Sequence, residues 1–273
     1  MRRFSFLCIC IFCLLLSVFS TEAQVVSVTN NTNTTPNLAA TYGSLAAAIT
    51  ALNAITAISG PVTITLNPGN PQTAPAGGYI IQFTTISNTA ASPITFTGSN
   101  NTITAFTPQT SGRLYDGIFK LIGADYITIQ NFVMQENASN ATFTAASNNM
   151  TEWAVALLYK STTDGAQNNT IQNNTISLNR SYQNSFAIYS NTRHAPTTVT
   201  TNVDVTNSTS GPNNNNKVYG NTISNVNMGI SFIGAGNAAN MDVGNDIGGS
   251  SAATGNSITN WGGATAAIGA YFG

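Results

Sequence analysis

Charge is the scarcest commodity in this chain. Only 6% of its 273 residues are charged, against roughly a quarter in an average globular protein. Histidine occurs once, and the three cysteines (Cys8, Cys10, Cys13) all fall in the first 13 residues. Each shortage excludes something. A chain without a basic patch does not bind nucleic acid through phosphates. A chain without a polybasic run has no electrostatic hold on an anionic membrane surface. One histidine excludes a histidine-based metal centre. Disorder usually pairs low hydrophobicity with high net charge, and at 42% hydrophobic residues the chain has neither.

Polarity is supplied instead by Asn, Thr, Ser and Gly. Asn and Gly form turns, and Thr joins Ile and Val in favouring strands. The composition predicts an all-β chain with many corners.

The first residues form an export signal. Arg2 and Arg3 precede the apolar run Phe4–Phe19, and Thr21-Glu22-Ala23 supplies small residues at −3 and −1 before Gln24. The run is short of the roughly 20 residues a membrane span needs. Cleavage after residue 23 removes every cysteine, so the mature chain would hold no disulfide, and an extracellular or outer-surface location is expected. Without Arg2, Arg3 and Glu22 there remain six basic and eight acidic residues, a formal charge of −2.

Residues 24–43 are Asn/Thr-rich and are expected to be an exposed lead-in. Ser44 is placed as an N-cap, and Leu45, Ile49 and Leu52 fall on one side of a short helix from Leu45 to about Ile55. Strictly alternating strands follow, beginning with Val62–Leu66.

A repeat organises the rest. NNTIQNNTI at Asn168–Ile176 has near-copies at Asn216–Ile223 and Thr254–Ile258 and a looser one at Tyr126–Met134. Ile129, Phe132 and Met134 align with Ile171, Asn174 and Ile176, and with Val218, Asn221 and Ile223. Val243–Ile247 reads as a degenerate extra copy. An apolar strand follows each unit, at Trp153–Tyr159, Phe186–Tyr189, Met228–Ile233 and Ala266–Phe272, and the clearest insertions are Asn137–Met150 and Thr192–Asn215. Short strands, fixed Asn/Gly corners and irregular loops predict a parallel β-helix over 44–273, with the short helix capping its N-terminal end. Asn173, Asn174, Asn221 and Asn256 are assigned to an amide ladder, in which side chains both donate and accept between stacked coils. A β-sandwich is the competing fold, and scarce Asn-Gly hairpin loops speak against it.

The stretches SLAAAITALNA, GPVTITLNPGN and PAGGYIIQF are similar to the start of pectin-lyase-like right-handed parallel β-helix proteins. From DGIFKLIGADYITIQNFVMQE to NNKVYGNTISNVNMGISFIG the chain resembles large bacterial cell-surface β-helix proteins exported by a type IX route. The resemblance runs from about Thr41 to the end and implies fold more than activity. It lacks the sorting domain of that route, and the chain stops on an apolar strand, so an N-terminal piece of a longer protein, or a split reading frame, is expected.

Chemistry is thinly spread. The family includes lyases that use calcium, carboxylates and an Arg or Lys base, which makes Asp116, Lys120 and Asp125, with Arg113 beside them, the catalytic candidates. Against that, Asp125 serves as a turn cap and Lys120 as a carboxylate partner, and the residues lean away from an enzyme. Glu136 and Glu152 flank an insertion and either meet at its base or anchor it. Arg180 and Arg193 lie near loops, and His194 is expected in solvent. Asp242, Asn245 and Asp246 leave calcium binding through oxygen ligands open, without the glycine-rich calcium motif; no other cofactor or metal is expected. Of the aromatics, Trp153 is expected in the core, while Tyr182 and Tyr219 are chosen as surface residues for stacking on polysaccharide or surface glycans. The expected function is structural, adhesive or glycan-contacting. A polysaccharide lyase or hydrolase and a ligand-free spacer are the alternatives.

Overall fold

The computed structural model describes residues 24–112, 114–144, 147–198, 203–265 and 268–272. The expected signal segment and Arg113 lie outside them. The chain winds into six coils, each contributing one strand to each of three parallel sheets. In the fourth coil these strands are Thr170–Gln172, Thr175–Ser177 and Phe186–Asn191, on the first, second and third face. Consecutive coils pair in parallel on all three faces.

The register is the one the repeat predicts. On the first face Phe96, Ile129, Ile171, Val218 and Ile247 stack inward. On the second, Ile103, Met134, Ile176, Ile223 and Ile258 do the same. Period-two alternation sends the residues between them outward. Thr63, Thr95, Thr128 and Thr170 thus form one outer column, and Thr175, Thr222 and Ser257 another.

NNTIQNNTI turns out to hold two corners. Asn168 and Asn173 are both left-handed, with φ of 57° and 54°. Asn tolerates that conformation better than most residues because its short polar side chain bonds locally. Each is followed by a buried Asn (Asn169, Asn174), an outward Thr and an inward Ile. The same left-handed position is held by Asn131 and Gly220 at one corner, and by Tyr126, Asn215 and Gly244 at the other. Val243–Ile247, expected as a degenerate extra copy, repeats the corner that Asn168 holds. Asp246–Ile247 is the first-face strand of the sixth coil, paired with Lys217 and Val218.

Two expectations at the N-terminal side need correction. Residues 24–43 are not an exposed lead-in. Val26–Thr29 pairs antiparallel with Val62–Leu66, and Val26 and Leu38 are buried. Side-chain bonds such as Asn31 Nδ2 to Leu38 O (2.7 Å) satisfy a backbone that its polar composition suggested was solvated. The helix, α1, runs Leu45–Asn53 and stops short of Ile55, because the Ala54 and Ile55 N–H groups already turn back three residues, to the Ala51 and Leu52 carbonyls. Ser44 caps it by accepting from Ala47 N (3.1 Å). Its Leu45, Ile49 and Leu52 join the apolar column. Asn53 bonds the edge of Tyr79–Ile81, the end strand of the third face: Nδ2 donates to Ile80 O (2.7 Å) and Oδ1 accepts from Gln82 N (3.1 Å).

Candidate functional site: corners, columns and the covered third face

The corner asparagines form two ladders running the length of the later coils. At the corner between first and second faces, Asn174 Oδ1 accepts from Phe132 N (3.1 Å), Asn221 Oδ1 from Asn174 N (3.0 Å) and Asn256 Oδ1 from Asn221 N (3.0 Å). Their Nδ2 groups donate backward to the carbonyls of Ile129, Ile171 and Val218. Asn173, assigned to this ladder from sequence, is not in it. It is exposed and supplies the left-handed bend. The second ladder was missed. Asn169 Oδ1 accepts from Ile127 N, Asn216 Oδ1 from Asn169 N and Asn245 Oδ1 from Asn216 N, all at 2.8–2.9 Å. The signal was present, since NNTI occurs twice five residues apart, which is one strand plus one corner.

The residues left open for calcium are engaged in these networks. Asn245 is a ladder rung, and Asp242 Oδ1 accepts from Asn213 N (2.9 Å). Asp246 accepts from Gly249 N (3.0 Å) and from the Tyr219 hydroxyl (2.6 Å). Burial pushes the Asp242 carboxyl up to about 7, so it holds a proton over much of the neutral range. Among the described residues, no group of three or more His, Cys, Asp or Glu side chains could hold a metal ion.

The third face differs. Its strands Gly117–Ile122, Trp153–Leu158 and Phe186–Asn191 are buried along their whole length. The inner side packs in the column, and the outer side lies under loops that collect most of the titratable groups. Asp116, Glu152 and Tyr182 link three successive coils there. The Asp116 N–H donates to Glu152 Oε2 (2.8 Å), and the Tyr182 hydroxyl donates to Glu152 Oε1 (2.7 Å). Asp116 Oδ2 accepts from Thr110 N (2.8 Å), while Oδ1 is buried without a hydrogen-bond partner, as is Trp153 Nε1. Burial drives the Glu152 carboxyl up to about 8 and that of Asp116 up to about 6.

Tyr182 is thus no surface platform. It is 1% exposed, and its polar neighbours in sequence are the loop that folds it inward. Lys120 is buried with no carboxylate in ion-pair range among the described residues. Its Nζ reaches the Tyr115 carbonyl (3.4 Å) and lies 5.2 Å from the centre of that ring. Burial lowers its pKa, offset in part by the fields of Asp116 and Glu152. His194, expected in solvent, is fully buried against Trp153 and Tyr189. Its Nε2 faces the Thr198 carbonyl (3.0 Å), which can only accept, so Nε2 carries the proton and Nδ1 accepts from the Tyr189 hydroxyl (3.1 Å). Burial lowers its pKa too. Trp153 stacks on Tyr189, with ring centres 5.2 Å apart, in a cluster outside the main column.

Glu136 anchors its insertion rather than meeting Glu152 directly. It accepts from Asn137 N, Asn140 Nδ2 and both Thr151 donors at 2.8–2.9 Å. Asp125 Oδ1 accepts from Gln167 N (2.7 Å) on the next coil, and burial raises its carboxyl to about 6. It does not join the Asp116 cluster through any hydrogen bond among the described residues. Arg180 binds Gly262 O and Asn260 Oδ1, and Arg193 pairs with Asp204 (2.6 Å) at the surface. Tyr219 remains half-exposed on the first face, at the end of the row Thr97, Gln130, Gln172.

No protein-family model, curated protein or solved structure matches the chain. No helix among the described residues is long and apolar enough to cross a membrane.

Proposed function

We propose that this chain is a β-helix domain of an exported surface protein, serving as a rigid body that contacts glycans or other surface polymers. The expected pectin-lyase-like, right-handed winding belongs to this reading, because parallel crossovers are right-handed in nearly all cases. So does the role of α1 as the N-terminal cap, which the Asn53 bonds to the Tyr79–Ile81 edge support.

One observation carries the functional reading. Through most of the first two faces the side chains in reach of solvent are in-register columns of hydroxyls and amides, including the Gln172–Gln130 bond (2.7 Å), with charge entering one column only at Lys217 and Asp246, while Asp116, Lys120, Glu152 and His194 are sealed. Uncharged donors and acceptors held on a stiff sheet suit sugar hydroxyls, with little ordering entropy left to lose. The test is a panel of immobilised polysaccharides. Binding without release of reducing or unsaturated sugar is expected, weakened at least threefold by Tyr219→Ala. Binding to none of them would leave the spacer role.

A lyase or hydrolase is the second reading, favoured by the gathering of Asp116, Glu152 and Lys120 with the unpartnered Asp116 Oδ1. Sugar release abolished by Asp116→Asn would establish it over the first.

A further inference from the structure

The second face differs from the other two in what its outer side holds. Its strands stack residue on residue, without a slip in register. One outer column reads Thr102, Val133, Thr175, Thr222, Ser257. The other reads Thr73, Thr104, Gln135, Ser177, Ser224, Thr259. Neither contains a charged or aromatic residue. The first face, by contrast, carries Lys217, Asp246 and Tyr219 on its outer side, and the third is covered. Thr104 Oγ1 accepts from Gln135 Nε2 (3.1 Å); the remaining hydroxyls of the two columns make no hydrogen bond among the described residues. Thr73, Thr175, Thr222, Ser257 and Thr259 are exposed.

The backbone fixes the spacing of these hydroxyls. Neighbouring strands lie roughly 4.8 Å apart, and every second residue along a strand is about 6.7 Å from the last. Sheets stay flat over many strands where side-chain ladders hold them, and the Asn174–Asn221–Asn256 ladder runs along the corner at which this face begins. Threonine also has few χ1 choices. The outer side is thus a two-dimensional lattice of hydroxyls interspersed with methyls. Hexagonal ice repeats its oxygen atoms at close to the same two intervals, along its a and c axes.

We propose that the second face binds ice, adsorbing to a crystal face whose oxygen rows run in step with its threonine columns. The chemistry suits frozen water better than sugar. A hydroxyl both donates and accepts, as each water of the lattice does. A charged side chain would hold water in an order of its own, and sugar rings stack on aromatic faces; this face has neither. The sheet already holds the rows in place, so adsorption leaves little ordering entropy to lose. Val133 and Gln135 interrupt the pattern in the third coil. The longest unbroken array is therefore Thr175–Ser177, Thr222–Ser224 and Ser257–Thr259, in the fourth to sixth coils. Tyr219 lies on another face, so ice and glycan binding can be tested apart.

The test grows ice from a dilute solution of the intact chain on a chilled surface. The chain should enter the ice at least threefold enriched over an inert protein of equal mass, and grains in an annealed frozen film should coarsen more slowly. Thr175→Tyr with Thr222→Tyr sets two rings across the array and should return both readouts to those of the inert protein. Tyrosine is favoured in strands, and an unchanged unfolding midpoint would show the fold intact. Thr222→Lys alone, which places a hydrated charge within the array, should weaken incorporation severalfold. Thr142→Tyr, on the insertion after Val133–Gln135, should leave it unchanged. A native chain excluded from ice like the inert protein would overturn the proposal, as would a folded double variant incorporated as well as the native chain. Adsorption to crystalline chitin or cellulose but not to ice would also overturn it, and would assign this face to glycan contact.

Discussion

The Asn corners and the covered third face solve one problem by opposite means. Both bury polar groups between coils. At the corners each amide meets donor and acceptor at the same place in every turn, so neutrality and repetition satisfy it. Over the third face, Asp116, Lys120, Glu152 and His194 come from loops and strands of unequal make-up, and Asp116 Oδ1 and the neighbouring Trp153 Nε1 go without a partner. A neutral amide held in a ladder loses little by burial, whereas a charge without a close counter-charge shifts its pKa instead. The difference teaches where pH acts on this protein: most on the cover, and at the corners only where a carboxyl such as Asp242 stands in an amide's place.

The largest effect should therefore come from Glu152. Its folded pKa of about 8 stands above the ordinary 4.5, so the folded state holds the proton across that window. Stability from this group is fully present below about pH 4.5 and is lost as pH rises through 8. At about 1.4 kcal/mol per unit, the loss is about 5 kcal/mol. Asp116, Asp125 and Asp242 act in the same direction; Lys120 and His194, with lowered values, act against it. Urea unfolding of Glu152→Gln should show a clearly flatter stability profile between pH 5 and 8. An unchanged slope would mean that this carboxyl is ionised in the folded protein.

Next comes the corner. Asn174→Asp replaces the amide donor facing the Ile129 carbonyl with an acceptor, in a site 1% exposed. A cost of about 2–3 kcal/mol is expected at pH 7, easing as the pH falls and the carboxyl protonates. A melting temperature equal to wild type would remove the ladder from the account of stability.

Its neighbour Asn173 should behave by backbone alone. At φ of 54° and exposed, Asn173→Ala should cost about 1 kcal/mol, and Asn173→Gly much less. Equal losses in the two variants would show that the side chain matters there. The smallest change belongs to Tyr219→Phe. It removes only a surface hydroxyl bond to Asp246, so thermal stability should stay within about 0.5 kcal/mol.

What was visible in the residues follows the same division. Inward Ile171 and Ile176, outward Thr170 and Thr175, and the alignment with Val218 and Ile223 all reflect local periodicity, and the coils pair in that register. Within NNTIQNNTI, the roles of adjacent asparagines could not be separated by type, because a left-handed bend and a ladder rung both favour Asn. Tyr182 and His194 were misplaced for a different reason. Their neighbours are polar, and polarity near a residue does not reveal that a loop folds it beneath Trp153 and Glu152. Residues 24–43 misled similarly, since Asn and Thr side chains there satisfy the backbone of a packed strand.

The sequence by itself determined the coil: its alternation, its corners and its dependence on amides in place of charge. These are interactions between neighbours in the chain or between identical positions one repeat apart, so a periodic sequence specifies them. Only the tertiary structure decided which titratable groups meet and which are shut from water. That outcome depends on irregular loops laid across a regular sheet, where Asp116, Glu152 and Tyr182, from three separate coils, come within hydrogen-bonding distance through packing alone.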